Sequence, residues 1–183
     1  MKPIRALPLL LLIWFVTAVQ AQAPAPKPDA QLNKLHAFVG HWTMEGETLD
    51  GPLGPGGKFT GEYTAQMILG GFFLEAQWTE KDSSGVSRSL EITGYDPATK
   101  NLVSHGYGDD GGGWSGVMTL SGSTWTYRGT NWVAGKPYRS RSSDTFAPDL
   151  MSITSKFEVS TDGTTWKPVT LAKWTKVPAA PKK

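Results

Sequence analysis

Polar and aromatic side chains alternate between Tyr138 and Phe146, and this segment holds the residues best suited to chemistry. Side chains two residues apart lie on the same face of a β-strand. If the two aromatic residues face inward, Ser140, Ser142 and Asp144 share that inward face. A buried carboxylate needs a partner or solvent. The pattern therefore predicts a polar pocket, unless these residues lie at an open rim or beyond a bulge that shifts the register.

A second charged residue is predicted to face the same interior. Arg88 keeps register with Leu90 and Ile92, whose apolar character predicts the inward face of their strand. An inward guanidinium would have to pair with a carboxylate such as Asp144 or contact solvent in a cavity. Aromatic residues of inward register complete the candidate ligand-binding set, and they are Tyr63, Trp78, Trp114, Trp125 and Tyr127.

The chain offers little support for catalysis or metal binding. It has no cysteine and no Gly-x-Ser-x-Gly turn. Its histidines, His36, His41 and His105, occur in neither a His-x-His nor a His-Glu-x-x-His pattern. The run 109–113 lacks the alternating carboxylates of a calcium loop, so it predicts a hairpin tip. We therefore assign no catalytic residue and no metal ligand.

The alternation of apolar and polar residues continues through most of the chain. The odd positions of 59–69 and the even positions of 72–78 are apolar, and similar segments follow to residue 159. Turn residues such as Asp82-Ser-Ser-Gly85 separate these segments. The spacing leaves no room for crossover helices, which makes a parallel sheet improbable.

These patterns predict an all-β fold: a single antiparallel closed barrel of about ten strands over residues 32–177. Closure is favoured because it removes exposed strand edges. A β-sandwich is the alternative. Asp29 is suited to cap a short N-terminal helix over 30–37, which Gly40 ends. Its apolar face would be formed by Leu32, Leu35 and Phe38.

The first 21 residues have the order of a secretory signal peptide. Lys2 and Arg5 precede an apolar stretch, and Val19-Gln20-Ala21 offers a cleavage site after Ala21. Cleavage after Ala23 fits the small-residue rule equally well, although Pro24 would hinder it. An uncleaved anchor helix is the alternative, but the apolar stretch is short for a membrane span.

We therefore expect a periplasmic or secreted protein with no membrane span after processing. The Ala/Pro-rich leader 22–31 and the tail 178–183 are predicted to be flexible. The formal net charge of +2 comes from Lys2 and Arg5 in the signal, so the mature chain is neutral. Neutrality argues against a nucleic-acid partner. The sequence does not define an oligomeric state.

The order of several motifs resembles two groups of proteins. The run 38–42 (Phe-Val-Gly-His-Trp) is similar to the start of the first strand in the calycin group, which includes lipocalins, fatty-acid-binding proteins and nitrobindin-like barrels. The wider pattern resembles a bacterial family of uncharacterised exported proteins with the same expected barrel. That pattern adds Gly-Gly-Phe-Phe-Leu at 70–74, Gly-Tyr-Asp at 94–96 and Asp-Gly-x-x-Trp at 162–166.

The resemblance implies a calycin-like barrel in which Trp42 plugs the closed end. It also implies that a basic residue near the last strand, Lys173 or Lys176, lies over the Trp42 ring in a cation–π contact. In nitrobindin-like members a histidine in the C-terminal part of the barrel holds heme. No histidine follows His105 in this chain, so we expect no heme and no other cofactor.

Three functions are compatible with this sequence. The first is an exported barrel that binds a small, partly apolar molecule. The second is an enzyme acting on a small exported metabolite, with Arg88, Asp144 or a histidine as acid or base. The third is an interaction scaffold of the cell envelope, which would require an extensive exposed aromatic patch. The sequence favours the first over the second, because it carries no catalytic motif.

Overall fold

Short turns join successive strands throughout the computed structural model, which describes residues 26–179. A 3₁₀ helix (Ala30–Ala37) precedes the first strand, and a second 3₁₀ turn (Leu69–Gly71) follows the second strand. The strands are β1 (Gly40–Thr48), β2 (Gly57–Ile68), β3 (Phe73–Asp82), β4 (Gly85–Asp96), β5 (Asn101–Gly108), β6 (Gly113–Ser121), β7 (Thr124–Val133), β8 (Lys136–Phe146), β9 (Ser152–Ser160) and β10 (Lys167–Val177). The predicted signal peptide, leader residues 22–25 and tail residues 180–183 lie outside the described residues.

The ten strands form one closed antiparallel barrel. Each strand pairs with its neighbours in sequence, and β1 also pairs with β10. This closure confirms the predicted ten-stranded barrel and excludes the β-sandwich alternative. Among residues 26–179, no helix is long and apolar enough to cross a bilayer.

The N-terminal helix occupies the predicted residues and covers one end of the barrel. It is a 3₁₀ helix, and the Asp29 side chain accepts a hydrogen bond of 2.8 Å from Gln31 N, as expected for a helix cap. Leu32, Leu35 and Phe38 are buried against the barrel, so the predicted apolar face is confirmed.

Trp42 lies at the centre of this covered end. We call the buried rings packed there the plug, and they are Phe38, Trp42, Trp125 and Phe146. The Trp42 side chain is fully buried, and its Nε1 donates a hydrogen bond of 2.9 Å to Phe38 O. The Phe146 ring meets the Trp42 ring edge-on, with 6.0 Å between centroids. These contacts close the barrel at the end where β1 begins and β8 ends.

The cation–π contact in the plug is made by Lys176. Its Nζ lies 4.9 Å from the centroid of the Trp42 ring, whereas Lys173 is exposed on the outer wall. Gly40 makes room for this side chain, because a Cβ at Gly40 would lie 3.1 Å from Lys176 Cε. Gly40 also has a φ of +128°, which other residues rarely adopt. The Gly-x-Trp motif is thus explained by the packing of the plug.

Strand β4 has the opposite register to the one predicted. Leu90 is 40% exposed on the outer wall, and it pairs with the exposed Gln77 of β3. Glu91 and the fully buried Thr93 face inward instead. Inward polar residues are accommodated because the barrel interior at this level is a cavity with hydrogen-bond partners and not a closed apolar core.

Candidate ligand cavity

A cavity of about 440 Å³ occupies the barrel between the plug and the opposite, open end. A barrel of about eight strands has an interior just wide enough for its own side chains or one small ligand, so ten strands leave more room. Seven of the nine residues predicted for the lumen line this cavity, and they are Tyr63, Trp78, Arg88, Trp114, Tyr127, Ser142 and Asp144.

The other two residues of the predicted set lie elsewhere. Trp125 is buried in the plug, and the centroid of its ring lies 5.5 Å from the centroid of the Phe38 ring. Ser140 is buried in the barrel wall and donates a hydrogen bond of 2.7 Å to Asn131 Oδ1. Trp125 shares the predicted inward face, but it lies close to the end of β7 that the helix covers. These placements correct the predicted lumen.

Arg88 lies at the cavity mouth and does not reach Asp144. Its side chain is exposed, and the residue pairs with the exposed Thr79 on the outward register of β3 and β4. Within the described residues, Glu158 forms ion pairs with Arg141 and Lys156, and the His41 ring lies 3.7 Å from the Glu62 carboxylate. The pairing of Arg88 with Asp144 is therefore corrected, and its cause is the one-residue difference in the register of β4.

Asp144 is held by two serine hydroxyls on the wall of the cavity. Ser155 donates to Oδ1, and Ser142 donates to Oδ2 at 3.2 Å. Burial raises the pKa of Asp144 to about 6, because the low-dielectric surroundings disfavour the charged carboxylate. The two serines oppose this effect, and the charge of Glu91 adds to it. Asp144 retains some accessible surface because it faces the cavity.

Glu91 is a second carboxylate in the cavity, and it was not among the predicted site residues. Trp114 Nε1 donates a hydrogen bond of 2.9 Å to Oε2, and Thr93 Oγ1 lies 3.2 Å from Oε1. Burial raises the pKa of Glu91, while the hydrogen bonds from Trp114 and Thr93 lower it. Neutral donors thus orient this carboxylate without cancelling its charge.

The indole that binds Glu91 depends on a glycine in the neighbouring strand. Gly106 of β5 pairs with Trp114 of β6, and a Cβ at Gly106 would overlap the Trp114 ring. The absence of a side chain lets the indole lie flat against the barrel wall. Its Nε1 then reaches Glu91 on β4, across the width of β5.

Three rings form a continuous aromatic wall, which we call the aromatic trio: Tyr63, Trp78 and Trp174. Tyr63 and Trp78 have centroids 4.5 Å apart, and Trp174 lies 5.1 Å from Tyr63 and 4.9 Å from Trp78. Edge-on contacts of this kind stabilise aromatic clusters beyond area burial. The trio supplies an apolar surface within a cavity that also holds carboxylates.

Two polar groups in the cavity wall lack a hydrogen-bond partner within residues 26–179. They are Tyr127 Oη and Trp78 Nε1. Tyr127 is only 8% exposed, and burial raises its pKa to about 12. The Ser140 hydroxyl donates its proton to Asn131 Oδ1 and is therefore not a donor to Tyr127. Buried polar groups usually have a hydrogen-bond partner. Because these two have none among the described residues, each can form a hydrogen bond with an occupant of the cavity.

The histidines contribute nothing to this cavity. His36 and His105 are exposed, and His41 Nε2 lies 3.7 Å from Glu62 Oε2, away from the lining residues. Within the described part of the chain, no group of three or more histidine, aspartate or glutamate side chains is arranged to hold a metal ion. The predicted hairpin tip at 109–113 is confirmed and lies at the cavity mouth, where Asp110 accepts a hydrogen bond of 2.8 Å from Gly112 N.

The outer wall carries a row of exposed apolar residues across neighbouring strands. Leu90 pairs with Tyr107, Tyr107 with Gly113, and Gly113 with Trp132. The three side chains are exposed, which is the kind of patch that the scaffold hypothesis requires. Nothing in the described structure identifies a partner for it.

A hairpin rule could have placed Glu91 in the cavity from the sequence. The turn after β3 has two residues, Ser83 and Ser84, so Asp82 pairs with Gly85. That register pairs Trp78 with Ser89, and directly paired residues lie on the same face of a sheet. An inward Trp78 therefore places Glu91, two residues beyond Ser89, inward as well. Apolar character alone led to the opposite choice.

Comparisons with known proteins agree with this fold. The crystal structure of Rv2717c from M. tuberculosis superposes with a TM-score of 0.61 at 11% identity, over 83% of this chain and 100% of that chain. At this identity the likeness shows the fold alone. A de novo designed fluorescence-activating β-barrel gives a TM-score of only 0.39 at 12% identity, over 78% of this chain and 95% of that chain, and carries no argument.

No curated protein matches this sequence. The sequence does match one family model. The model described as "Protein of unknown function (DUF1579)" matches residues 27–169, which include the N-terminal helix, strands β1 to β9 and the start of β10. Because this match covers most of the chain, the protein belongs to the DUF1579 family.

Proposed function

We propose that this protein binds a small, partly apolar molecule inside its barrel. The observation that carries the proposal is the cavity of about 440 Å³, open at one end and closed at the other by the plug. Small-molecule sites usually measure ~300–1,000 Å³ and combine apolar walls with a few polar groups. The aromatic trio provides the apolar wall, and Glu91, Asp144 and Tyr127 provide the polar groups.

Native mass spectrometry of the protein purified from its own exported fraction tests this function. A co-purifying mass that is lost on unfolding and regained on refolding with the extract would support binding. A cavity-filling variant, Ala172→Phe, should reduce the bound fraction, because Ala172 lines the cavity. The matched control is Leu171→Phe, since Leu171 is the adjacent residue but is exposed on the outer wall. Equal binding by both variants would place the ligand outside the barrel.

We also propose that the chain is exported and that its signal peptide is cleaved after Ala21. The charged start, the apolar stretch and the small residues before the cleavage point support this proposal. N-terminal sequencing of the protein from a bacterial periplasmic or culture fraction should begin at Gln22. An intact Met1 in the cytosolic or membrane fraction would contradict export with cleavage.

A second candidate function is acid–base catalysis by Asp144. The observation in its favour is a carboxylate with a pKa of about 6, which lies in a cavity beside a second carboxylate. If the protein turns over its ligand, the Asp144→Asn variant should retain a molecule of different mass from the one bound by the native chain. Identical masses in both proteins would favour binding without chemistry.

A further inference from the structure

The cavity has an unusual balance of charge. Among its described lining residues are five carboxylates and one basic side chain. The carboxylates are Glu80, Glu91, Asp109, Asp110 and Asp144, and the basic residue is Arg88. Arg88 is exposed at the mouth, so the deep part of the cavity holds negative groups without a basic residue among its lining residues. Such groups are costly to bury unless a counter-charge is supplied.

Glu91 and Asp144 lie on opposite walls of the deep part. Glu91 is on β4 and Asp144 is on β8, four strands apart in a barrel of ten. Each carboxylate is fixed by neutral donors, and neither forms an ion pair among the described residues. A carboxylate has about four acceptor positions, so each keeps capacity for another donor on the cavity side.

The Tyr127 hydroxyl is an independent indication of an occupant. It is buried, lines the cavity and has no hydrogen-bond partner among residues 26–179. A buried hydroxyl without a hydrogen-bond partner is unfavourable, so an occupant that forms this hydrogen bond removes the penalty.

The surrounding surface favours an organic cation over a metal ion. Ca²⁺ and Mg²⁺ require about six or more oxygen ligands at short distances. The described residues offer no such cluster. Aromatic faces attract ammonium groups through their quadrupoles and also bind apolar chains. The aromatic trio provides such faces within the same cavity.

We propose that the cavity receives an organic ammonium ion, with its positive nitrogen between Glu91 and Asp144 and its apolar part against the aromatic trio. This inference rests on the proposed binding function and specifies its ligand class. The Tyr127 hydroxyl oxygen accepts a further hydrogen bond from the same ligand. The ligand neutralises the two carboxylates that neutral donors hold in place.

Three probes of matched size test the charge preference: phenylbutylammonium, phenylbutanol and phenylbutyrate. Their affinities for the purified, ligand-free chain are measured at pH 7.5 by isothermal titration calorimetry and by tryptophan fluorescence. We expect the ammonium probe to bind at least about tenfold more tightly than the alcohol, and the carboxylate probe to bind most weakly. This comparison uses the native chain and does not depend on the folding of any variant.

Variants then locate the charge. Glu91→Gln and Asp144→Asn should each remove most of the ammonium preference while leaving the affinity for the alcohol within about threefold. Glu45→Gln is the matched control, because Glu45 is exposed on β1 and should leave all three affinities unchanged. Near-ultraviolet circular dichroism checks that each variant is folded.

The outcomes separate the ligand class from the binding function. Equal binding of the ammonium probe and the alcohol, tighter binding of the carboxylate probe, or an ammonium preference that survives both variants would overturn the ammonium proposal alone. The alcohol would then still report a small-molecule site. Failure of all three probes to bind would overturn the ammonium proposal and the cavity as a binding site together.

Discussion

Replacing Asp144 with asparagine should stabilise the protein, relative to the native chain, more at neutral pH than in acid. Asp144 is the buried carboxylate between Ser142 and Ser155, and burial raises its pKa from 3.8 to about 6. The native protein therefore binds a proton at Asp144 more readily than the unfolded chain does. Between these two pKa values, raising the pH lowers the free energy of unfolding.

The size of the effect follows from the two pKa values. The difference between 3.8 and about 6 corresponds to about 3 kcal/mol. This value is an upper bound, because Asp144 faces a cavity that admits water. Well below pH 3.8 the carboxylate is protonated in both states, and the contribution is absent. Well above pH 6 it is ionised in both states, and the native protein is destabilised by the full amount.

Urea denaturation of the native chain and of Asp144→Asn at pH 4, 5, 6 and 7 measures this contribution. The asparagine does not titrate, and any change in its hydrogen bonds with the serines is independent of pH. The difference in unfolding free energy, variant minus native, should therefore rise by as much as about 2 kcal/mol from pH 4 to pH 7, because part of the total is already present at pH 4. The part of the difference that does not change with pH reports the altered hydrogen bonds.

Asp162→Asn is the matched control, because its pH dependence has the opposite sign and lies below pH 4. Asp162 is exposed, and the backbone N–H groups of Thr165 and Thr164 lower its pKa from 3.8 by hydrogen bonds of 2.7 Å. Its stabilisation is present above the ordinary pKa of an aspartate and is lost only as the pH falls below that value. This variant should therefore be less stable than the native chain by nearly the same amount at pH 4, 5, 6 and 7, and the deficit should shrink only in more acidic solution. For Asp144→Asn, the difference in unfolding free energy should rise with pH. A difference that stays constant or falls as the pH rises would contradict a raised pKa of Asp144.

Two further substitutions test the packing of the cavity wall and of the plug. Gly106→Ala should destabilise the fold by about 1–3 kcal/mol in urea denaturation and shift the tryptophan fluorescence, because the new Cβ overlaps the neighbouring indole. Gly57→Ala has open space and should cause no loss; equal effects of the two would contradict the overlap. Lys176→Met should lower the free energy of unfolding by about 0.5–1 kcal/mol through loss of the cation–π contact with Trp42. The exposed control Lys173→Met should not, and a larger loss at Lys173 would reverse the assignment.

Local patterns in the sequence were sufficient for the architecture. Alternating side chains and short turns identified ten strands, and the cap at Asp29 identified the helix over 30–37. These features depend on residues that are close in the chain, so they can be recognised without the structure. The inward register of β8, which places Ser142 and Asp144 in the cavity, was predicted on the same basis.

The register of β4 could not be decided by apolar character. Alternation divides a strand into two faces but does not say which one is inward. In β4 both faces contain apolar and polar residues, and the inward face is the one with Glu91 and Thr93. Its partners come from β6, where Trp114 donates to Glu91. A contact between residues 23 positions apart is not visible in a local pattern.

The sequence by itself therefore determined a closed antiparallel barrel with a plug at one end, because strand alternation and turn chemistry are local properties. Only the tertiary structure decided which of the inward-facing side chains share the cavity. Burial and the distance from the plug separate Trp125 from the residues that line the cavity, and the pairing of distant strands brings Glu91 opposite Asp144. The charge of the cavity, and hence the ligand it can hold, arises from side chains that meet only when the barrel closes.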